Sequence, residues 1–314
     1  MRRAALAVVF VLAIAGVAWW TMRAPAPSPS PATSTDPPRI AVAPTVPPPA
    51  TPPAPREAAP IALPAPPFDE WRAPETASLP PARTRLTTVT SRKRDVLEND
   101  DDWLKRHGLV ISELADPVAR ALVPPTVDAL PLETLIRAPA GLLAIYGGRY
   151  IRVSEGGETL TLDLAAWFHS PSDRANYMRD VFSDADYADL IAQKVSWAAW
   201  VGTVLYIDNH HETYAADSGN HTAYVAALDL ERRGLVWRTR PLVTRARNFL
   251  VLGDVVVTGY GMTREPDFVH VIDAGTGRVV QSIPLPSAPA LLATKDDRVW
   301  VACYDAEVEL RVTR

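Results

Sequence analysis

Apolar residues are arranged along this chain in three regimes. The first is a single run, Ala4–Trp20, between Arg2-Arg3 and Thr21-Met22-Arg23. As a helix those residues rise about 26 Å, the short end of what crosses a bilayer. Trp19 and Trp20 stand where interfacial aromatics belong, and the leading arginines favour a cytoplasmic amino terminus. The last regime begins near Ala140, where short apolar or alternating runs are divided by turn residues. Tyr150–Val153 and Thr159–Leu164 flank Glu155-Gly156-Gly157, a hairpin signal. Comparable runs follow at Val195–Val201, Thr203–Asp208, Tyr224–Leu228, Leu235–Thr239, Val255–Thr258, Phe268–Ile272, Val279–Ile283 and Val308–Val312. Val299–Cys303 is apolar on both faces, the pattern of a strand covered on both sides. Many short strands at regular spacing predict an all-β domain.

The middle regime is set by proline. Twenty of the chain's 31 prolines fall between Pro25 and Pro81. That density excludes helix interiors and central strands. The predicted organisation is a signal anchor or transmembrane helix over 1–23 and a disordered Pro-rich linker over 24–82. A mixed lead-in segment over 83–140 then precedes a β-domain over 141–314. A cleaved signal peptide is the alternative for 1–23, but Pro27 follows Ala24-Pro25-Ala26 and would block that cut. Both readings export the rest of the chain. The linker, extended as polyproline II at about 3.1 Å per residue, suits a spacer across a cell envelope.

Charge and cysteine content narrow the classes. Residues 83–314 hold 26 Lys+Arg against 31 Asp+Glu, which gives no reason to expect nucleic acid. The single cysteine, Cys303, excludes an internal disulfide and reads as a buried packing residue. In the lead-in segment Asp100-Asp101-Asp102 reads as the acidic start of a short helix ending near His107-Gly108. Asp116-Pro117 reads as a cap with proline in the first turn. A helical insertion is predicted over 170–193, where Ser170-Pro171-Ser172-Asp173 has a capping-box pattern.

The β-runs also repeat. Leu228-Asp229 is followed by Gly234 and Trp237, and Ile272-Asp273 by Gly277, with Gln281 at the tryptophan's place. The two aspartates are 44 residues apart, the length of one four-stranded propeller blade. Aspartate can accept backbone N–H groups in the turn, and glycine can take the left-handed conformation that returns the chain. Leu162-Asp163 is a weaker copy. This pattern, with Asp273-Ala274-Gly275-Thr276-Gly277-Arg278 its best turn, resembles the PQQ-like, quinoprotein-type β-propeller repeat. Arg233 departs from it where the resemblance asks for glycine. The resemblance implies a β-propeller, and about 230 residues at roughly 42 per blade allow at most five blades, so a small or incomplete one. The last blade lacks its outermost strand, and either Leu86–Thr90 or Leu109–Ser112 is expected to supply it and cover the edge. The paired cysteines that quinone-dependent members often set against the cofactor are missing, so no cofactor is carried over.

The most site-like cluster is Asp208-Asn209-His210-His211-Glu212, with Asp217 and His221 nearby. Imidazole and carboxylate suit a transition metal, so His210, His211 and His221 are the candidate ligands. Against them, adjacent histidines on an extended chain point opposite ways. Arg238, Arg240, Arg245 and Arg247 form a basic stretch, and alternation would put Arg238 and Arg240 on one surface facing an acidic partner. A solvated, turn-flanking run is the plainer reading. No nucleophile elbow, phosphate loop or dinucleotide fingerprint is present, and no catalytic residues are assigned. The sequence therefore points to a membrane-tethered, extracytoplasmic, non-catalytic propeller that binds a protein or other envelope macromolecule. The alternative is a ligand- or metal-binding sensor or an enzyme with its site in the propeller mouth.

Overall fold

The computed structural model describes residues 58–64, 81–167, 188 and 190–314, all in the compact unit Arg56–Arg314. The expected membrane helix 1–23, most of the 24–82 linker and most of the 170–193 insertion lie outside these residues. Among the described ones no helix is long and apolar enough to cross a membrane.

The first strands are β1 (Ile61–Ala62) and β2 (Arg85–Lys93), followed by helices α1 (Asp100–His107) and α2 (Pro117–Arg120). α1 begins and ends as its sequence requires. Asn99 caps it by accepting from the Asp102 N–H, three aspartates fill its first turn, and Gly108 ends it in the left-handed conformation at φ 60°. Asp116 caps α2 in the same way, with Pro117 in its first turn.

The remaining strands form, with β1 and β2, four sheets. Strands β3 (Thr126–Val127), β4 (Leu130–Arg137), β5 (Leu142–Tyr146), β6 (Tyr150–Glu155) and β7 (Glu158–Asp163) make the first, in the order β1-β7-β6-β5-β4-β3. Strands β8 (Ala198–Val201), β9 (Val204–Asn209), β10 (Tyr224–Asp229) and β11 (Gly234–Arg238) make the second as an antiparallel meander. The third is a meander of β12 (Leu250–Leu252), β13 (Val255–Tyr260), β14 (Phe268–Asp273) and β15 (Val279–Pro284). The fourth contains β16 (Pro289–Lys295), β17 (Arg298–Cys303) and β18 (Ala306–Thr313), and its outer strand is β2. β2 pairs antiparallel with β18 from Ala306↔Lys93 to Thr313↔Arg85. The strand expected from Leu86–Thr90 is therefore present at the predicted edge. Leu109–Ser112 takes another place. Leu109 and Ile111 pack with α1 on the fourth sheet, while Ser112 accepts from the Arg137 N–H and Glu113 bridges to Ile136 in the first.

These contacts run from sheet to sheet in order. One core cluster joins the first and second sheets and reaches the third through Val256 and Ile272. Another joins the third and fourth. α1 and the chain after it connect the fourth back to the first. Among the described residues the fold is all-β and propeller-like, with four sheets where the sequence allowed at most five blades. Val299, Val301 and Cys303 face the cluster shared with the third sheet, and Trp300 and Ala302 face α1, so β17 is covered on both sides as its composition predicts.

One stretch of the Pro-rich tract departs from the expected linker. Ile61 and Ala62 pair in parallel with Leu162 and Asp163, and Leu63 is buried. Pro60 and Pro64 bound this strand because proline has no N–H to give a ladder. A two-residue edge strand is what such a sequence can supply.

The repeat has the physical basis its residues suggest. Asp273 Oδ1 accepts from the N–H groups of Gly275 and Thr276, and Asp229 Oδ1 from those of Glu231 and Arg232. Asp163 accepts from Ala165 and pairs with Arg149 at 2.7 Å. Gly277 sits at φ 70°, and a Cβ there would lie 2.6 Å from the Trp237 ring. Arg233 adopts φ 52° where the repeat asks for glycine.

Candidate functional site

The long connection from β9 to β10 carries the predicted metal ligands, and its first residues continue β9. His210 exchanges backbone hydrogen bonds with Lys194 at 3.0 and 2.8 Å, which extends the β8–β9 edge beyond the strands themselves. Alternation along that edge sends neighbouring side chains to opposite faces.

Asp208 is fully buried and holds the approach to β8. Its Oδ1 accepts from the N–H groups of Ser196 and Trp197 at 2.9 and 2.8 Å, and its Oδ2 from the Ser196 hydroxyl at 2.7 Å. Burial pushes this carboxyl upward, against the opposing pull of His210 and the three donors. With the Ser196 hydroxyl donated to Asp208, its oxygen accepts from His210 Nε2 at 3.0 Å. His211 is wholly buried. The Thr213 N–H donates to its Nδ1, so the ring proton lies on Nε2, which faces the Ser218 hydroxyl at 2.8 Å. Ser218 in turn donates to the Ala215 carbonyl. Burial, with smaller contributions from Arg245 and His210, pushes His211 down to about 4. It is therefore neutral near pH 7.

The third sheet holds the loop from outside. Arg245 Nη1 donates to the carbonyls of His211 and Thr213 at 2.5 and 3.0 Å. Glu265 accepts from the Ala215 N–H and from the Tyr260 hydroxyl, each at 2.7 Å. Burial, reinforced by the Glu265 carboxylate, raises the Tyr260 phenol. Thr222 accepts from the His211 N–H, and Gln193 donates to the His221 carbonyl. Asn209 Nδ2 and Gln193 Oε1 are buried at the loop's base without a hydrogen-bond partner.

This geometry gives the three predicted ligands separate partners. His211 spends both ring nitrogens on its own loop, and His210 is committed to Ser196. Only the backbone carbonyl of His221 meets Gln193. Among the described residues no three His, Cys, Asp or Glu side chains converge on a point that could hold a metal ion. Asp217 accepts from the Thr213 hydroxyl, and Glu212 is exposed.

The basic stretch is divided in the same way. Arg238 is buried with its guanidinium 4.4 Å over the Tyr224 ring, while Arg240 is exposed, so they share no open surface. Arg247 reaches Glu113 at 2.6 Å and Asp100 at 3.8 Å, tying the approach to β12 to the lead-in segment. Cys303 is buried as expected, and burial raises its thiol to about 12, which leaves it an inert packing group.

Two features gave no signal in the sequence. One is the anchoring of the loop by Glu265, 50 residues from Ala215, with Tyr260 donating to Glu265. The other is an open cleft of about 540 Å³ between Leu122 and the Arg137–Leu142 hairpin. An isolated Leu and an Ala-Pro-Ala-Gly turn have no spacing that marks a site.

No family model matches the sequence, and no curated protein matches it. Among solved structures, the chain is similar to BamB from Moraxella catarrhalis at 11% identity and TM-score 0.29, over 56% of this chain and 57% of that one. It is similar to the computationally designed protein Ika8 at 11% identity and TM-score 0.30, over 58% of each chain. A chain of the mitotic checkpoint complex matches at 10% identity and TM-score 0.28, over 60% of this chain and 77% of that one. The chain thus spans under two thirds of the BamB and Ika8 chains. Likenesses at this level transfer neither family nor activity to it.

Proposed function

We propose that the chain is a membrane-tethered, extracytoplasmic, propeller-like module that binds another protein and catalyses no reaction. The observation that supports this most is the way the loops at one end of the second and third sheets are held. The Asn209–Tyr224 connection is fixed by Arg245 and Glu265 from the third sheet and by His211 and Thr222 from within. In this region Asp208, His211 and Arg245, whose proton affinities burial shifts, each hold a backbone group in place. A loop surface ordered before binding loses little entropy on association, which favours recognition of a macromolecule. The tether rests on the apolar run Ala4–Trp20 and the proline-dense tract after it.

The test uses the full chain in membranes, with a photocrosslinker in place of Tyr214 or Glu212 in the loop. The proposal expects the chain to sediment with membranes after alkaline washing. It also expects one specific protein to crosslink from either loop position and not from Arg232 at the opposite turns. Absence of a crosslinked protein, together with melting that shifts on addition of a metal or small ligand, would reverse the assignment in favour of a sensor or enzyme.

A further inference from the structure

The cleft beside Leu122 has the features of a site for a chain end. Its wall is the turn between β4 and β5, in which the Ala138 N–H donates to the Gly141 carbonyl at 2.9 Å and the Gly141 N–H returns to Ala138 at 3.3 Å. The turn is fixed from behind, because a Cβ on Gly141 would fall 1.9 Å from the Ser154 carbonyl oxygen. Pro139 and Ala140 are exposed on its crest. Across from it Leu122 is 64% exposed and Val118, one helical turn earlier, 78% exposed. These are large apolar side chains left in water beside a concavity of about 540 Å³, within the size range of ligand sites.

Charge distinguishes this cleft from a bare apolar patch. Arg137 lies in its lining and is exposed, and among the described residues its guanidinium makes no ion pair or hydrogen bond. The charged neighbours are already engaged. Arg120 donates to the Leu132 and Glu133 carbonyls, Asp116 caps the Ala119 N–H, and Glu113 pairs with Arg247. Arg137 therefore supplies an uncommitted bidentate cation at the edge of an apolar trough.

We propose that this cleft binds the carboxyl terminus of a partner polypeptide that ends in an apolar residue. The terminal carboxylate pairs with Arg137, and the last side chain packs against Leu122 and Leu142. A chain end fits because it carries a carboxylate and an apolar group on one residue, separated by a single carbon. The inference rests on the protein-binding reading above, which selects a polypeptide over other apolar carboxylates.

The test is fluorescence anisotropy with the full chain and labelled hexapeptides ending in Ala, Val, Leu, Ile or Phe. Each is used as the free acid and as the amide, and decanoate is titrated as competitor. At least one free acid is expected to bind saturably, with its amide and the Arg137→Gln variant each weaker by tenfold or more. Arg232→Gln, exposed at a remote turn, is expected to bind as wild type, and melting temperatures confirm that both variants fold. Equal binding of acid and amide, or no binding by any peptide, overturns the proposal. Displacement of the peptide by decanoate at lower concentration than by unlabelled peptide also overturns it, in favour of a small apolar acid. Crosslinking from the loop decides the scaffold reading separately: a crosslinked partner with no peptide binding would leave that reading standing and remove this one.

Discussion

Trp237 in β11 and Gln281 in β15 occupy the same position of the repeat, each on the outer strand of its sheet and each reaching the next sheet. Trp237 is fully buried, lies over Gly277, and donates its indole N–H to the Ala274 carbonyl at 2.9 Å. Gln281 instead grips one residue of the closing strand. Its Oε1 accepts from the Leu86 N–H at 3.0 Å, and its Nε2 donates to the Leu86 carbonyl at 2.7 Å. The neighbours of Leu86 are held similarly. Asp273 accepts from the Ala82 N–H, and Asp254 from the N–H groups of Arg83 and Thr84 and from the Thr84 hydroxyl. Sheets consecutive in sequence are joined by buried apolar area. The strand recruited from near the Pro-rich tract is joined as well by side chains that pair with its backbone. A strand that arrives out of sequence order must be fixed in position and register, and hydrogen bonds do that where non-directional burial does not.

The largest effect should come from removing the closing strand. Deleting residues 1–95 exposes the β18 edge and uncovers Val308 and Leu310, so the remaining chain should lose cooperative unfolding and aggregate. Retention of a sharp thermal transition would show that β2 is dispensable. Trp237→Ala should cost about 3–5 kcal/mol in denaturant unfolding, the range for deleting a buried aromatic. Gly277→Ala should cost about 2–3 kcal/mol, from the left-handed φ and the clash with the indole. Much of the second cost should vanish in the Trp237→Ala background, and additive penalties would mean that the two residues do not meet. Gln281→Ala should cost about 1–3 kcal/mol, since it strands the N–H and carbonyl of Leu86.

A pH dependence is expected through two buried histidines, His211 in the loop and His270 in β14. His211 and His270 are both pushed down to about 4, His211 by burial and then Arg245, His270 by burial and then Arg240. The unfolded chain takes up these protons near pH 6.5 and the folded chain only near 4. Stability is therefore fully present above about 6.5 and is lost as pH falls through that window, by at most roughly 3 kcal/mol per group. A His211→Gln variant should show a shallower decline of melting temperature between pH 7 and 4. An unchanged slope would place His211 in water.

How much of this was legible follows from the range over which each residue acts. The capped ends of α1 and α2, the Glu155-Gly156-Gly157 hairpin and the Asp273 turn depend on partners within a few positions, and the sequence displays them. The closing strand was narrowed to two segments because a missing outer strand leaves an edge that must be covered; choosing between them needed the pairing with β18. The histidine loop shows the opposite case. His210, His211 and His221 resemble a ligand set in composition, but their environment comes from Ser196, Ser218 and Arg245, at separations from seven to more than thirty residues. Arg137 gave no signal because what distinguishes it is the engagement of its charged neighbours elsewhere.

Hydrogen–deuterium exchange on the full chain, read at β2 and β18 together, tests the central structural claim most directly. Closure by β2 predicts that Arg85–Lys93 is protected to the same degree as Ala306–Thr313, and that Gln281→Ala raises exchange in both stretches in parallel. Exchange of Arg85–Lys93 at the rate of an unstructured peptide, with Ala306–Thr313 still protected, would contradict it.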